Sequence, residues 1–309
     1  MLPPQIESYI ARSVLPAMGI AGRSFALRAP RQAGTRSSLH VVDAEGIPLL
    51  LLRVFDHRGQ AARNAVALRH LEARGLPAPR LVFHEGWRSN ITVETWIEGT
   101  PHADLADAKT ASAAALGVAT LLARFHAVTR ASWGRPEAAL RPRLVSFAAA
   151  ALRSARRMLW RLAGGGWFAG SQAAALQARF GSWKEAISTL DTFSLVHNDA
   201  NRHNFLVGSE GQVTPVDLHR LAYEPFPEEV VNALYHFCRK DAVLGELFLR
   251  RYFLTAGEAS QRTFDRTRGF FEPLNYLKKM HQRSASAVAR DDAKMLRWRD
   301  LVLALEPPS

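Results

Sequence analysis

Two short stretches constrain this chain more than anything else in it. The first is Leu195-Val-His-Asn-Asp-Ala-Asn-Arg-His-Asn-Phe-Leu-Val207, and the second is Val213-Thr-Pro-Val-Asp-Leu-His-Arg220. Together they set His-x-Asp-x-x-x-x-Asn between two apolar runs, with a further Asp closing a third run. Short apolar runs bounded by polar loops read as buried strands. The pattern is a strand, a loop and further strands, carrying two carboxylates and one amide toward a common mouth. Phosphoryl transfer from a nucleoside triphosphate needs that set: one carboxylate orients the acceptor hydroxyl, while an amide and a second carboxylate hold magnesium against the phosphates. Singly, each residue has a plainer role. An Asp or Asn after a strand usually caps a turn, and a buried His usually belongs to a hydrogen-bonded core. The coincidence of these spacings with the downstream Val-Asp-Leu argues for chemistry.

Composition bounds the setting. A chain of 309 residues, 48% hydrophobic and 22% charged, can bury a sizeable core in one two-lobed domain or two smaller ones. Its single cysteine, Cys238, rules out an intramolecular disulfide framework and suits a reducing compartment. The opening Met1-Leu-Pro-Pro-Gln-Ile-Glu has neither the basic nor the apolar region of a signal peptide. The longest nearly uninterrupted apolar stretch, Ala111 to Ala123, is too short to span a bilayer. The expected location is cytoplasmic. A net charge of +12, almost all from arginine, suits an anionic partner, although codon bias toward arginine gives the same count. No zinc-finger or ribonucleoprotein signature is visible, so nucleic acid is not an expected partner.

Along the chain, Ser24 to Pro30, Ser38 to Asp43 and Pro48 to Phe55 read as strands, with Ala44-Glu-Gly-Ile as a hairpin turn. The polar connection from Arg31 to Ser38 carries Gly34 and Thr35 at its tip; such a tip can lie over phosphates, and equally can be a plain surface turn. Arg53 stands in the apolar run Leu49-Leu-Leu-Leu-Arg-Val-Phe55, so its charge needs a carboxylate or a bound phosphate. Ala61, Ala65, Leu68 and Leu71 recur at helical spacing up to Gly75. Strands follow at Arg80 to His84 and Ile91 to Ile97, and Glu98-Gly-Thr-Pro101 reads as a hinge. The expected division is therefore residues 1–98 and 99–309.

Beyond the hinge the pattern is helical: 109–128, 228–238, 245–252, 264–285 and 290–305. In Arg143 to Leu162, an apolar face of Leu144, Ala148, Ala151, Ala155, Met158, Leu159 and Leu162 opposes Arg153, Arg156, Arg157 and Arg161. That segment packs on the body with a solvated basic face, or rests on an anionic membrane surface at the inner face of the cytoplasmic membrane. Trp167-Phe168 beside it reads as core or as an interfacial anchor.

A strand-rich first third, a hinge, and a helical remainder with these motifs resemble the protein-kinase-like fold, an α+β architecture with a small antiparallel-sheet lobe and a larger helical lobe. Within it the chain is similar to the aminoglycoside and choline phosphotransferases. It is more similar to lipopolysaccharide core heptose and Kdo kinases, through Asn204-Phe-Leu-Val207, Asp217-Leu-His-Arg220 and Phe248-Leu-Arg-Arg-Tyr252. Leu68-Arg-His-Leu71 and Gly75-Leu-Pro-Ala-Pro79 are generic for aminoglycoside-type kinases. The resemblance implies ATP and magnesium as cofactors, Asp199 as catalytic base and His197 as a brace behind its loop. It also implies Asn204 and Asp217 as metal ligands, the backbone from Glu94 to Trp96 as the adenine site, and Arg53 in place of the phosphate-binding lysine.

Two departures from the pattern matter. Arg53 replaces Lys, a planar fork in place of a point charge. Asn64 replaces the helix Glu that pairs with that cation, so either another carboxylate serves or catalysis is weakened. The implied function is phosphorylation of a sugar hydroxyl, in the lipopolysaccharide core by the closer likeness. A small-molecule or Ser/Thr kinase is the enzymatic alternative, and a nucleotide-binding scaffold without turnover is the alternative of another class.

Overall fold

The computed structural model describes residues 4–19, 24–29, 37–44, 46–86, 89–136, 146–238, 241–284 and 292–308. They fall into two compact units: Met1–Gly117 with Arg202–Leu221, and Val118–Asn201 with Ala222–Ser309.

The first unit begins with α1 (Pro4–Tyr9), a π-helical turn (Ile10–Val14) and α2 (Leu15–Ala17), none of them evident in the sequence pattern. An antiparallel sheet follows, of β1 (Phe25–Arg28), β2 (Ser37–Ala44), β3 (Ile47–Phe55), β4 (Leu81–Phe83) and β5 (Ile91–Thr95), in the order β1-β2-β3-β5-β4. Period-2 alternation on β3 turns Leu50 and Leu52 inward, where they meet Val42, Val93 and the helical Ile10, Val14 and Leu15. The expected hairpin between β2 and β3 is present, with Gly46 at φ 82, a left-handed conformation that glycine adopts at no steric cost. Helix α3 (Arg58–Glu72) buries Ala61, Ala65, Leu68 and Leu71 as their spacing predicts, and also buries Asn64. The segment holding Gly34 and Thr35 lies outside the described residues.

A second, smaller sheet completes this unit. It is built of β6 (Thr100–Pro101), β9 (Phe205–Val207) and β10 (Val213–Pro215) in the order β10-β9-β6. Gly99, just before β6, lies so near β9 that a Cβ there would sit 3.0 Å from the Val207 carbonyl oxygen and 3.2 Å from Leu206 Cβ. Strand backbone cannot give way as a flexible side chain can. Gly99→Ala is expected to destabilise this unit by about 1–3 kcal/mol, read as a lower denaturation midpoint at unchanged m-value; an unchanged midpoint would show that β6 and β9 have room to separate.

The second unit is mainly helical. The strands β7 (Thr129–Arg130), β8 (Phe193–Val196) and β11 (Ala222–Glu224) pair in the order β11-β8-β7. Around them lie the end of α4 (Ala108–His126), α5 (Phe147–Gly164), α6 (Gly170–Ser182), α7 (Lys184–Ser188), α8 (Phe226–Ala233), α9 (Ala242–Ala256), α10 (Glu258–Ser284) and α11 (Ala293–Leu303). A π-helical turn, Leu234–Cys238, extends α8.

Helix α5 starts at Phe147 rather than Arg143 because Ser146 caps it, its hydroxyl accepting the Ala149 N–H at 3.3 Å. Leu144 lies outside the described residues, and the remaining apolar face is buried as expected. Arg153, Arg156, Arg157 and Arg161 are all exposed. Trp167 and Phe168 are core residues rather than interfacial anchors, being 8% and 3% exposed. Among the described residues no helix is long and apolar enough to cross a membrane.

Candidate active site

In the first unit, β9 and β10 pair antiparallel with Phe205 opposite Pro215, and the Val216 N–H donates to the Asn204 carbonyl at 2.8 Å. That register brings Asn204 and Asp217 to the same end of the hairpin. Asp217 has φ 63 and ψ 55, a left-handed conformation that costs a non-glycine residue about 1–2 kcal/mol. Its Oδ1 lies 2.8 Å from His219 Nδ1, within hydrogen-bond reach. The same oxygen meets Arg53 Nη1 at 3.3 Å. His219 in turn packs edge-on against Phe55 at the end of β3.

Arg53 is 5% exposed, so its charge is compensated within the protein. Besides Asp217, its partner is Glu94, with Nε 3.5 Å from Oε1: a charge contact, since Nε itself makes no hydrogen bond among the described residues. Glu94 is 2% exposed, and its Oε1 also accepts from Asn64 Nδ2 at 2.6 Å and from Thr92 Oγ1 at 2.9 Å. The carboxylate absent from helix α3 therefore stands on strand β5, and Asn64 holds it there. The register of β3 with β5 sets Arg53 opposite Thr92 and Leu51 opposite Glu94. In the backbone that follows, the Thr95 and Trp96 N–H groups donate to the carbonyls of Arg80 at 2.9 Å and Leu49 at 3.1 Å.

In the second unit, β8 delivers the chain to His197, whose ring is fully buried, and to Asp199, half-buried in the loop. Asn198 between them has φ 62. Among the described residues, Asn198 and Asp217 are the two non-glycine residues with positive φ, and both lie in the paired motifs; backbone strain of this kind collects at functional sites. Glu229 on α8 compensates for it. Its carboxylate accepts the backbone N–H of His197 at 2.9 Å and of Asn198 at 2.6 Å. The same carboxylate faces His126 Nε2 at 3.1 Å, and His126 Nδ1 meets the Tyr252 hydroxyl at 2.6 Å. Burial raises the Glu229 pKa, but the His126 hydrogen bond, the His126 and His197 charges and the His197 N–H outweigh it, so the carboxyl is held below its ordinary value. One helical turn along, Asn232 Nδ2 donates to the Ala200 carbonyl at 3.1 Å, and within the loop Asn201 Nδ2 donates to Asp199 Oδ1 at 3.1 Å.

The sequence profile of the phosphotransferase enzyme family (APH) matches residues 30–270, a span that contains every one of these groups. The chain belongs to the phosphotransferase enzyme family. Solved structures agree on the protein-kinase-like fold of this phosphotransferase. An ADP-bound aminoglycoside phosphotransferase, APH(2'')-Ib, is similar at a TM-score of 0.64 and 14% identity, over 99% of this chain and 98% of that one. A choline/ethanolamine kinase family protein from Mesorhizobium loti gives 0.65 and 15%, over 97% and 95%. The macrolide 2'-phosphotransferase MphH from Brachybacterium faecium gives 0.55 and 19%, over 97% and 99%. No curated protein matches the sequence.

Several groups of this arrangement were not legible in the sequence. Glu229 and Asn232 stand one helical turn apart on α8, about thirty residues after the loop they hold. Their signal was a buried-looking acidic residue and an amide at i and i+3 in a short helix that also carries Glu228. For Glu94 the sequence pointed to the backbone, whereas the side chain is the group paired with Arg53. Removing the Glu229 charge leaves the buried His197 N–H and the part-buried Asn198 N–H facing an amide that offers one oxygen in place of two. Glu229→Gln is expected to cost about 2–4 kcal/mol of stability and to lower kcat more than nucleotide affinity. Thermal unfolding together with nucleotide titration checks both, and a variant of wild-type kcat would show that the loop keeps its shape without this anchor.

Proposed function

We propose that this phosphotransferase is an ATP- and magnesium-dependent kinase acting on a hydroxyl of a small, sugar-like acceptor. The observation that carries this reading is Asp217, held in a left-handed conformation at the end of the hairpin that starts at Asn204, with Arg53 3.3 Å away. Asn204 and Asp217 offer an amide oxygen and a carboxylate, hard donors of the kind magnesium takes. Among the described residues no group of three His, Cys, Asp or Glu side chains is gathered into a metal cage. That fits an ion that keeps several waters and takes its other oxygens from phosphates. Bound magnesium would neutralise charge building on the phosphate oxygens.

Asp199 is the base in this scheme. Its carboxylate, steadied by Asn201, accepts the acceptor hydroxyl's proton as that oxygen bonds to the γ-phosphorus and the bond to the bridging oxygen of ADP breaks. Arg53 faces the phosphates, its position fixed by Glu94. Because the Thr95 and Trp96 N–H groups are already engaged, nucleobase contacts along Glu94 to Trp96 fall to carbonyl oxygens or to residues beyond Trp96. The bound ADP of the aminoglycoside phosphotransferase and the activities named for the aminoglycoside, choline and macrolide enzymes support a small-molecule acceptor.

A second reading, a sugar of the lipopolysaccharide core, is favoured by the exposed arginine face of α5 and by Asp217-Leu-His-Arg220. Mass spectrometry of surface glycolipid from cells with and without the protein separates the two, since only the second removes a phosphate. For the chemistry itself, Asp199→Ala is expected to reduce acceptor-dependent ADP release roughly a hundred- to ten-thousand-fold, with magnesium-dependent ATP binding retained. Normal turnover by that variant would overturn the mechanism, and ATP binding with no acceptor-dependent turnover by the wild type would make the chain a scaffold.

A further inference from the structure

Resting on the kinase reading above, one lysine of the second unit bears on what the acceptor is. Lys279 on α10 is half-buried, and its ammonium donates to Asn232 Oδ1 at 3.0 Å and lies 3.1 Å from His236 Nε2. It also sits 4.1 Å from the centre of the Tyr235 ring. Asn232 is the residue whose amide holds the Ala200 carbonyl, so Lys279 stands one side chain away from the loop that carries Asp199.

The next-door residue makes the contrast. Lys278 is paired with the Glu228 carboxylate, an ordinary ion pair of helices α10 and α8. The hydrogen-bonding partners of Lys279 among the described residues are instead an amide oxygen and an imidazole, neither of them an anion. Burial, followed by the charge of Lys294 on α11, pushes its pKa down to about 8 against the pull of Asp199. An ammonium in such surroundings gains from a carboxylate or phosphate brought to it. Two neighbouring features point the same way. Tyr235 and His236 lie on the π-helical turn Leu234–Cys238, a distortion found often at functional sites. One turn before Lys279 on α10, Asn275 is 6% exposed and its amide N–H2 has no hydrogen-bond partner among the described residues.

We infer that Lys279 recognises an anionic group on the acceptor, so that the phosphorylated molecule is a sugar acid or sugar phosphate rather than a polycation. A cationic aminoglycoside would meet a like charge beside the base, a juxtaposition that works against binding. The anion can belong to a soluble metabolite or to a glycolipid headgroup, since the chemistry seen by the ammonium is the same.

The test uses the full chain loaded with magnesium and ADP, and measures binding of matched pairs by calorimetry. Glucose is compared with glucose 6-phosphate and glucuronate, kanamycin serves as the polycation, and an uncharged glycolipid is compared with its monophosphorylated form in mixed micelles. In at least one pair the anionic member binds roughly tenfold tighter or more, the scale of one charge-assisted hydrogen bond. Lys279→Met removes the difference and Lys279→Arg keeps part of it, with ADP affinity unchanged in both. Preference in the sugar pairs identifies a soluble source, and preference only in micelles a lipid-borne one. Equal binding within every pair, tightest binding of kanamycin, or a preference that survives Lys279→Met would each overturn the inference. A lysine that merely supported Asn232 would lower binding of neutral and anionic members alike. Loss of ADP binding by the wild type would instead sink the kinase reading beneath it.

Discussion

A buried guanidinium organises the first unit. Arg53 comes out of an otherwise apolar strand with its charge enclosed, and a charge so placed is tolerable only among carboxylates held in register. Glu94 answers it from the neighbouring strand, Asn64 and Thr92 fix Glu94 from helix and strand, and Asp217 answers it from the β9–β10 hairpin. Sheet, helix and the β9–β10 hairpin are thereby tied to one cation. The carboxylate stands on the strand, and the Asn64 amide on the helix donates to it. Asn64 and Glu94 thus act together in compensating Arg53.

The loop of the second unit is held on a similar principle with different groups. Its backbone N–H groups at His197 and Asn198 point into the protein, where an unsatisfied donor is costly. Glu229 satisfies both, and His126 and Tyr252 stabilise its charge. At the other end of the loop, in the first unit, Arg202 donates to His102 through Nε and Nη2. Strain at Asn198 and Asp217 is then sustained by hydrogen bonds that would be lost on relaxation. Asp199 has its direction set by Asn201, and the Ala200 carbonyl of the same loop is held by Asn232.

Much of this was legible in the sequence, for definable reasons. Period-2 alternation and a Gly-containing turn gave the β2–β3 hairpin, helical spacing gave α3 and the buried face of α5, and the apolar runs flanking the motifs gave strands β8, β9 and β10. Other features were hidden because their cause is tertiary. Helices α1 and α2 carry a proline each and are only six and three residues long, so their stability comes from packing Ile10, Val14 and Leu15 on the sheet. Helix α6 has buried positions only at Ala173, Leu176 and Phe180, a sparse pattern in a polar stretch. That Glu94 uses its side chain toward Arg53 depends on strand register, which no local pattern specifies. Membership of the family settles the reaction type, while no motif of the sequence specifies the acceptor.

The Glu94 carboxylate is the feature on which the account turns, and magnesium-dependent ATP binding by Glu94→Gln tests it most directly. With Glu94 neutral, Arg53 has Asp217 as its remaining carboxylate and, on the proposed magnesium role of Asp217, would compete with the metal. The account predicts a folded variant whose magnesium requirement for ATP binding rises roughly tenfold, the scale of one charge-assisted contact. A folded Glu94→Gln protein that binds ATP at the wild-type magnesium concentration would contradict it, and would leave Arg53 without a role set by the strand.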